Sequence, residues 1–144
     1  MSDKVADNSV SPLDALMDAA ADAIIIIDED GLIQRFNRAA ERIFGYREPE
    51  VIGRNVSLLM PEPNRSRHDS YLQRYHTTGQ PAIIGSGREE LGQRRNGETF
   101  PMQLSIGEIR QTGGRSYVGI IRDVSEMHQA KEQVRHLEEQ LLHA

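Results

Sequence analysis

DAIIIIDEDGLIQRFNRAAERIFGY, residues 22–46, contains two apolar runs, an acidic turn and a helix in one unbroken passage. The β-branched run at 23–27 and the run at 32–36 are separated by Asp28-Glu29-Asp30-Gly31. Isoleucine-rich runs favour extended backbone, and a turn that closes on glycine accepts the positive φ of a tight reversal. The passage therefore predicts a β-hairpin. Asn37 stands where its side chain can cap a following helix. Ala40, Ile43 and Phe44 recur at helical spacing, and Gly45 can end that helix in a left-handed conformation.

Upstream, Ser11 followed by Pro12 is a helix start, with Leu13, Leu16, Met17 and Ala20 as one apolar stripe over residues 11–20. Residues 1–10 are polar and aperiodic and read as a disordered lead. Downstream, short turns run to Pro61 and Pro63, and residues 66–78 predict another helix that stops at Gly79. Strands are predicted at 83–94, 99–109 and 117–124. Asn96-Gly97 joins the first two and Gly113-Gly114 precedes the third. Strands, then short helices, then strands make an α+β domain over residues 21–124, an antiparallel sheet with helices on one face.

Residues 125–144 follow a different period. Met127, Ala130, Val134, Leu137, Leu141 and Ala144 step alternately by three and four, with charged residues between. That is the seam of a parallel coiled coil, and it predicts a homodimer through Met127, Val134, Leu137 and Leu141. An amphipathic helix folded back on the sheet would give a similar pattern. The seam is still in step at the last residue, which predicts a signalling helix leading to an output domain beyond it.

The 144 residues are 38% hydrophobic and 27% charged, enough for one modest core. A net charge of −5 disfavours binding to a phosphate backbone. The absence of cysteine removes disulfides, thiolate metal sites and cysteine nucleophiles. The N-terminus has no signal-peptide core. The longest apolar run, 23–27, falls far short of the roughly 20 residues of a membrane span, so direct membrane contact is not expected and a cytoplasmic location is. No Ser–His–Asp set or phosphate-cradling loop appears, and Gly85-Ser86-Gly87 is too short for one. Enzymatic activity is not expected.

Four passages resemble a PAS domain: residues 22–46, VIGRNVSLLMPEP (51–63), RRNGETFPMQLSIGE (94–108) and YVGIIRDVSE (117–126). The resemblance implies a five-stranded antiparallel sheet cupping a ligand pocket, and a role in sensing. A fifth passage, RSRHDSYLQRYHTTGQPAIIGSGRE (65–89), resembles the haem-binding segment of FixL-type oxygen-sensor histidine kinases. By that resemblance His68 matches the proximal ligand of the haem iron and Arg88 the distal arginine. Arg74 matches a residue near the haem propionates. Ile83, Leu104 and Ile106 match the apolar distal wall. Ala82 stands where some family members carry a propionate-side histidine. The implied cofactor is haem b, the implied ligand O2 or another diatomic gas, and the implied partner a downstream kinase domain in two-component signalling.

The residues are chemically suited to those roles. Positions 68, 71, 72 and 75 share one helical face, so His68 would point the same way as Tyr71, Leu72 and Tyr75. Leu104 and Ile106 share a strand face by alternation. Arg88 can donate to bound oxygen, or it can pair with Glu89 or Glu90. His76, His128, His136 and His143 have no metal-ligand spacing and read as solvated. Two other classes compete: a cofactor-free or small-ligand PAS module for dimerisation and relay, and a flavin-binding redox sensor. Flavin is disfavoured by the absence of both cysteine and tryptophan.

Overall fold

The computed structural model describes residues 11–62 and 88–143. The predicted lead at 1–10 and the predicted helix at 66–78 lie outside the described residues, as does the 83–87 part of the third strand.

Helix α1 (Pro12–Ala19) opens on Ser11, whose hydroxyl accepts from the Asp14 amide. Strands β1 (Ala23–Asp28) and β2 (Ile33–Phe36) form the expected hairpin. At its turn Asp28 Oδ1 accepts from the amides of Asp30 and Leu32, and Gly31 takes a φ of 83°. Helix α2 (Arg38–Phe44) is capped by Asn37 and ends on Gly45 at φ 84°. A one-turn helix α3 (Glu48–Val51) and a 3-10 turn (Val56–Leu59) follow. The strands β3 (Arg88–Gln93), β4 (Thr99–Gln111) and β5 (Gly114–Asp123) complete an antiparallel sheet of order β2-β1-β5-β4-β3. Helix α4 (Ser125–Leu142) leaves from the end of β5.

The β4–β5 hairpin is longer than its apolar pattern predicts. Pairing continues through Arg110↔Arg115 and Gln111↔Gly114, beyond the predicted limits of 109 and 117. This end carries Arg110, Gln111, Arg115 and Ser116, so the apolar alternation that marks a half-buried strand stops before the ladder does. Gly113 at φ 103° lets the chain reverse there.

One face of the sheet carries the core. Ala23, Ile25 and Ile27 of β1 point inward, as do Phe100, Met102 and Leu104 of β4 and Tyr117 and Ile121 of β5; all are buried. Phe36, Phe44, Val51, Val56 and Leu59 pack over them from the other layer. Gly92 lets β3 pass close beneath β4's side chains, because a Cβ there would lie 2.8 Å from Phe100 Cζ.

Asn37 is the buried polar residue of this core, at 3% exposure. Its Oδ1 accepts from the Ile24 amide at 2.8 Å and the Ala40 amide at 3.0 Å. Its Nδ2 donates to the Met17 and Asp22 carbonyls at 2.6 and 3.1 Å. One amide thus joins α1, β1 and α2. Ion pairs Asp14–Arg35 and Asp18–Arg38 reinforce α1's attachment.

Helix α4 does not fold back on the sheet along its length. Met127, Val134, Leu137 and Leu141 are exposed, and no residue of the helix is buried. Its apolar positions therefore face solvent.

Candidate ligand-binding site

Between the inner face of the sheet and the layer formed by α2 and the 3-10 turn lies a small apolar pocket, partly open to solvent. Ile25 and Ile27 of β1 floor it, with Met102, Leu104 and Ile106 of β4 beside them and Tyr117, Gly119 and Ile121 of β5 between. Phe44, Val56, Leu59 and Met60 close the opposite side. Gly119 leaves room: a Cβ there would sit 3.8 Å from Leu104 Cδ1, and anything larger would grow into the cavity. Burial holds the Tyr117 hydroxyl above its ordinary pKa. Phe44 anchors one end, meeting Phe100 edge-on at 5.6 Å and Phe36 at 6.3 Å.

The predicted distal residues divide between the structure and the part outside it. Leu104 and Ile106 are in the wall, on the same face, as alternation requires. Arg88 stands directly opposite Leu104 in the β3–β4 ladder, and residues paired across antiparallel strands share a face. It is therefore on the pocket side of the sheet, at the edge strand, and its guanidinium pairs with Glu90 two residues along. His68, Tyr71, Arg74 and Ile83 lie outside the described residues. Among the described residues no group of His, Asp and Glu could hold a metal ion.

A second feature, centred on Arg94, links α2 and the end of β5 to the start of α4. Arg94 donates from Nη1 to the Ile43 carbonyl at 2.6 Å, from Nη2 to Asp123 Oδ2 at 2.9 Å and from Nε to Glu98 at 2.7 Å. Its guanidinium carbon lies 4.0 Å from the centre of the Phe100 ring. Asp123 in turn accepts from the Ser125 amide and hydroxyl at 2.9 and 2.6 Å, which holds the start of α4. Burial raises the Asp123 pKa, but the hydrogen bonds from Ser125 and Arg94 outweigh it, and the net shift is downward. The sequence does offer one signal, the helix-starting Asp-Val-Ser, but nothing local marks Arg94 as its partner.

These observations define a sheet-and-helix receptor with an internal apolar pocket and an outgoing helix. A family model described as the PAS fold matches residues 12–124, and the chain belongs to the PAS family. It is 50% identical over 131 residues to the sensor protein FixL of Bradyrhizobium diazoefficiens, covering 91% of this chain and 26% of that protein. It is 30% identical over 113 residues to the oxygen sensor protein DosP of Escherichia coli, covering 78% of this chain and 14% of that one. Among solved structures, the PAS domain of an HTR-like protein from Haloarcula marismortui superposes with a TM-score of 0.66 at 25% identity, over 85% of this chain and 97% of that one. The chain thus spans about a quarter or less of the length of these curated relatives. Among the described residues no helix is long and apolar enough to cross a membrane.

Proposed function

We propose that residues 21–124 are a haem-based sensor of oxygen or another diatomic gas, and that residues 125–144 carry its signal to a histidine kinase domain in a longer parent protein. On this reading the chain is an input module and not an enzyme. The observation that carries it is the apolar pocket with Arg88 on the same sheet face as Leu104 and Ile106. Likeness to FixL, a sensor protein, and to DosP, an oxygen sensor protein, supports it.

The described residues supply some of the features that such a group would use. A flat macrocycle needs apolar walls on both sides, a place left empty by a missing side chain and a cationic donor at the rim. Ile25, Met102, Leu104 and Phe44 line the pocket and Gly119 leaves space beside Leu104, while Arg88 stands outside that lining on the same sheet face, opposite Leu104. Haem b, when bound, would supply an iron able to take up a neutral diatomic gas. By the resemblance to FixL-type sensors, His68 would be the protein ligand of that iron, with Tyr71 among the haem-contacting residues and Arg74 as the propionate-side cation. Ile83, Leu104 and Ile106 keep water away from the gas. Arg88 has Glu90 as its partner, and turning its guanidinium away from that carboxylate would change the charge balance at the end of β3. A ligand drives such a change only if it binds one arrangement better than the other.

Hemin added to the purified chain is expected to give a sharp Soret band that His68→Ala abolishes or broadens. A band unchanged by His68→Ala would overturn the assignment, and a yellow, fluorescent preparation would point to flavin. If no cofactor is taken up, the small-ligand or cofactor-free relay module stands instead, with Arg88 held by Glu90. For the output, Leu137→Lys is expected to weaken self-association at least tenfold in sedimentation, as a buried seam leucine would. An unchanged dimer would place the interface elsewhere.

A further inference from the structure

Helix α4 meets the sheet in two places. One is the Asp123–Ser125 cap at the end of β5, with the Val124 amide donating to the Pro101 carbonyl of β4 at 3.1 Å. The other reaches across β4 to β3. His128 Nε2 lies 2.7 Å from Glu89 Oε1, between residues 39 apart in sequence. Glu89 sits between Arg88 and Glu90, both of which are on the pocket side of the sheet, opposite Leu104 and Met102. Alternation puts Glu89 on the opposite face, where α4 passes. A single peptide unit therefore separates the arginine on the pocket side of the sheet from the residue that holds the outgoing helix.

Both partners are about half exposed, 46% for His128 and 49% for Glu89. Exposed pairs of this kind contribute little to stability, so the contact is a poor structural brace. It is, however, well placed to be made and broken. Strand β3 is at the edge of the described sheet, hydrogen-bonded to β4 on one side, and edge elements open more readily than central ones. Beyond Val124 the helix buries none of its residues, so few contacts hold its first turns.

We propose that Glu89 and His128 form a releasable latch that ties the first turns of α4 to β3. A change at Arg88 then reaches the helix directly, in parallel with the route through β5 and Asp123. The proposal rests on the pocket being the input, and it makes His128 a positioning residue that never touches the ligand.

The test is amide hydrogen exchange of residues 125–131, measured at one pH in the ligand-free full chain. The proteins are the unaltered chain, Glu89→Gln, His128→Gln and the double variant, with far-UV circular dichroism confirming that each is folded. Each single change is expected to speed exchange about threefold or more, and the double change to add nothing further. Arg88→Ala should alter exchange in α4 of the unaltered chain and have no effect there once Glu89→Gln is present. If exchange in α4 ignores Glu89→Gln, or if Arg88→Ala acts equally with and without it, the latch is wrong. Hemin titration separates this from the pocket assignment. Glu89→Gln should take up hemin as the unaltered chain does, whereas failure of the unaltered chain to take it up overturns the haem assignment and leaves the exchange experiment decisive for the latch.

Discussion

Asn37→Ala is expected to cost about 3–5 kcal/mol of folding stability. The amide is buried and makes four hydrogen bonds, two as acceptor and two as donor. Truncation leaves the Ile24 and Ala40 amides and the Met17 and Asp22 carbonyls to find water in a packed interior, and it removes the cap of α2. A domain of this size is stable by only ~5–15 kcal/mol, so the variant should unfold at markedly lower urea concentration. Asn37→Asp separates shape from chemistry. It keeps both acceptor bonds but sets a carboxylate oxygen against two carbonyls, so it should lose at least as much as alanine at neutral pH. If Asn37→Asp proved as stable as the unaltered chain, the two donor bonds to α1 and its exit would carry no weight.

Gly119→Leu is expected to abolish uptake of hemin, with an affinity loss of at least ~100-fold, or about 2.7 kcal/mol, while the chain stays folded. The added side chain starts from a Cβ position in ordinary contact with Leu104 Cδ1 and extends into space that is already apolar and empty. Filling such space costs little when no neighbour must move, so the thermal midpoint should shift by only a few degrees. Gly119→Ala adds one carbon at a tolerable 3.8 Å and should leave uptake nearly unchanged. Absorption titration checks both. Full uptake by Gly119→Leu would mean that the ligand lies outside this pocket.

The two variants probe different kinds of information. Asn37's capping role is legible from the chain, because a cap is a contact between neighbours along it: the side chain bonds the amide three residues on. Its donor bonds to α1 are not legible, because they depend on where a separate helix docks. Leu104 and Ile106 fall on one face by alternation alone, and both line the pocket. Gly119 is invisible as a site residue, since a glycine in a strand gives no sign of what its missing side chain leaves open. Val56, Leu59 and Met60 likewise read as a turn, and only packing shows that the turn closes the pocket.

Local sequence is enough for the hairpins, the helix caps, the shared face of Leu104 and Ile106 and the helical period of α4. Each depends on residues within a few positions of one another, where backbone preference and side-chain period act directly. How the pocket is joined to the helix emerges only when the whole fold assembles. Arg94 meets Ile43 and Asp123 at separations of 51 and 29 residues, and Glu89 meets His128 at 39. Such partners have no spacing rule, because they are chosen by the order in which the strands assemble. Arg88 shows both at once. Its chemistry is plain from the chain, and alternation within β3 favours Glu90 over Glu89 as its partner, while its position opposite Leu104 is settled by the β3–β4 register.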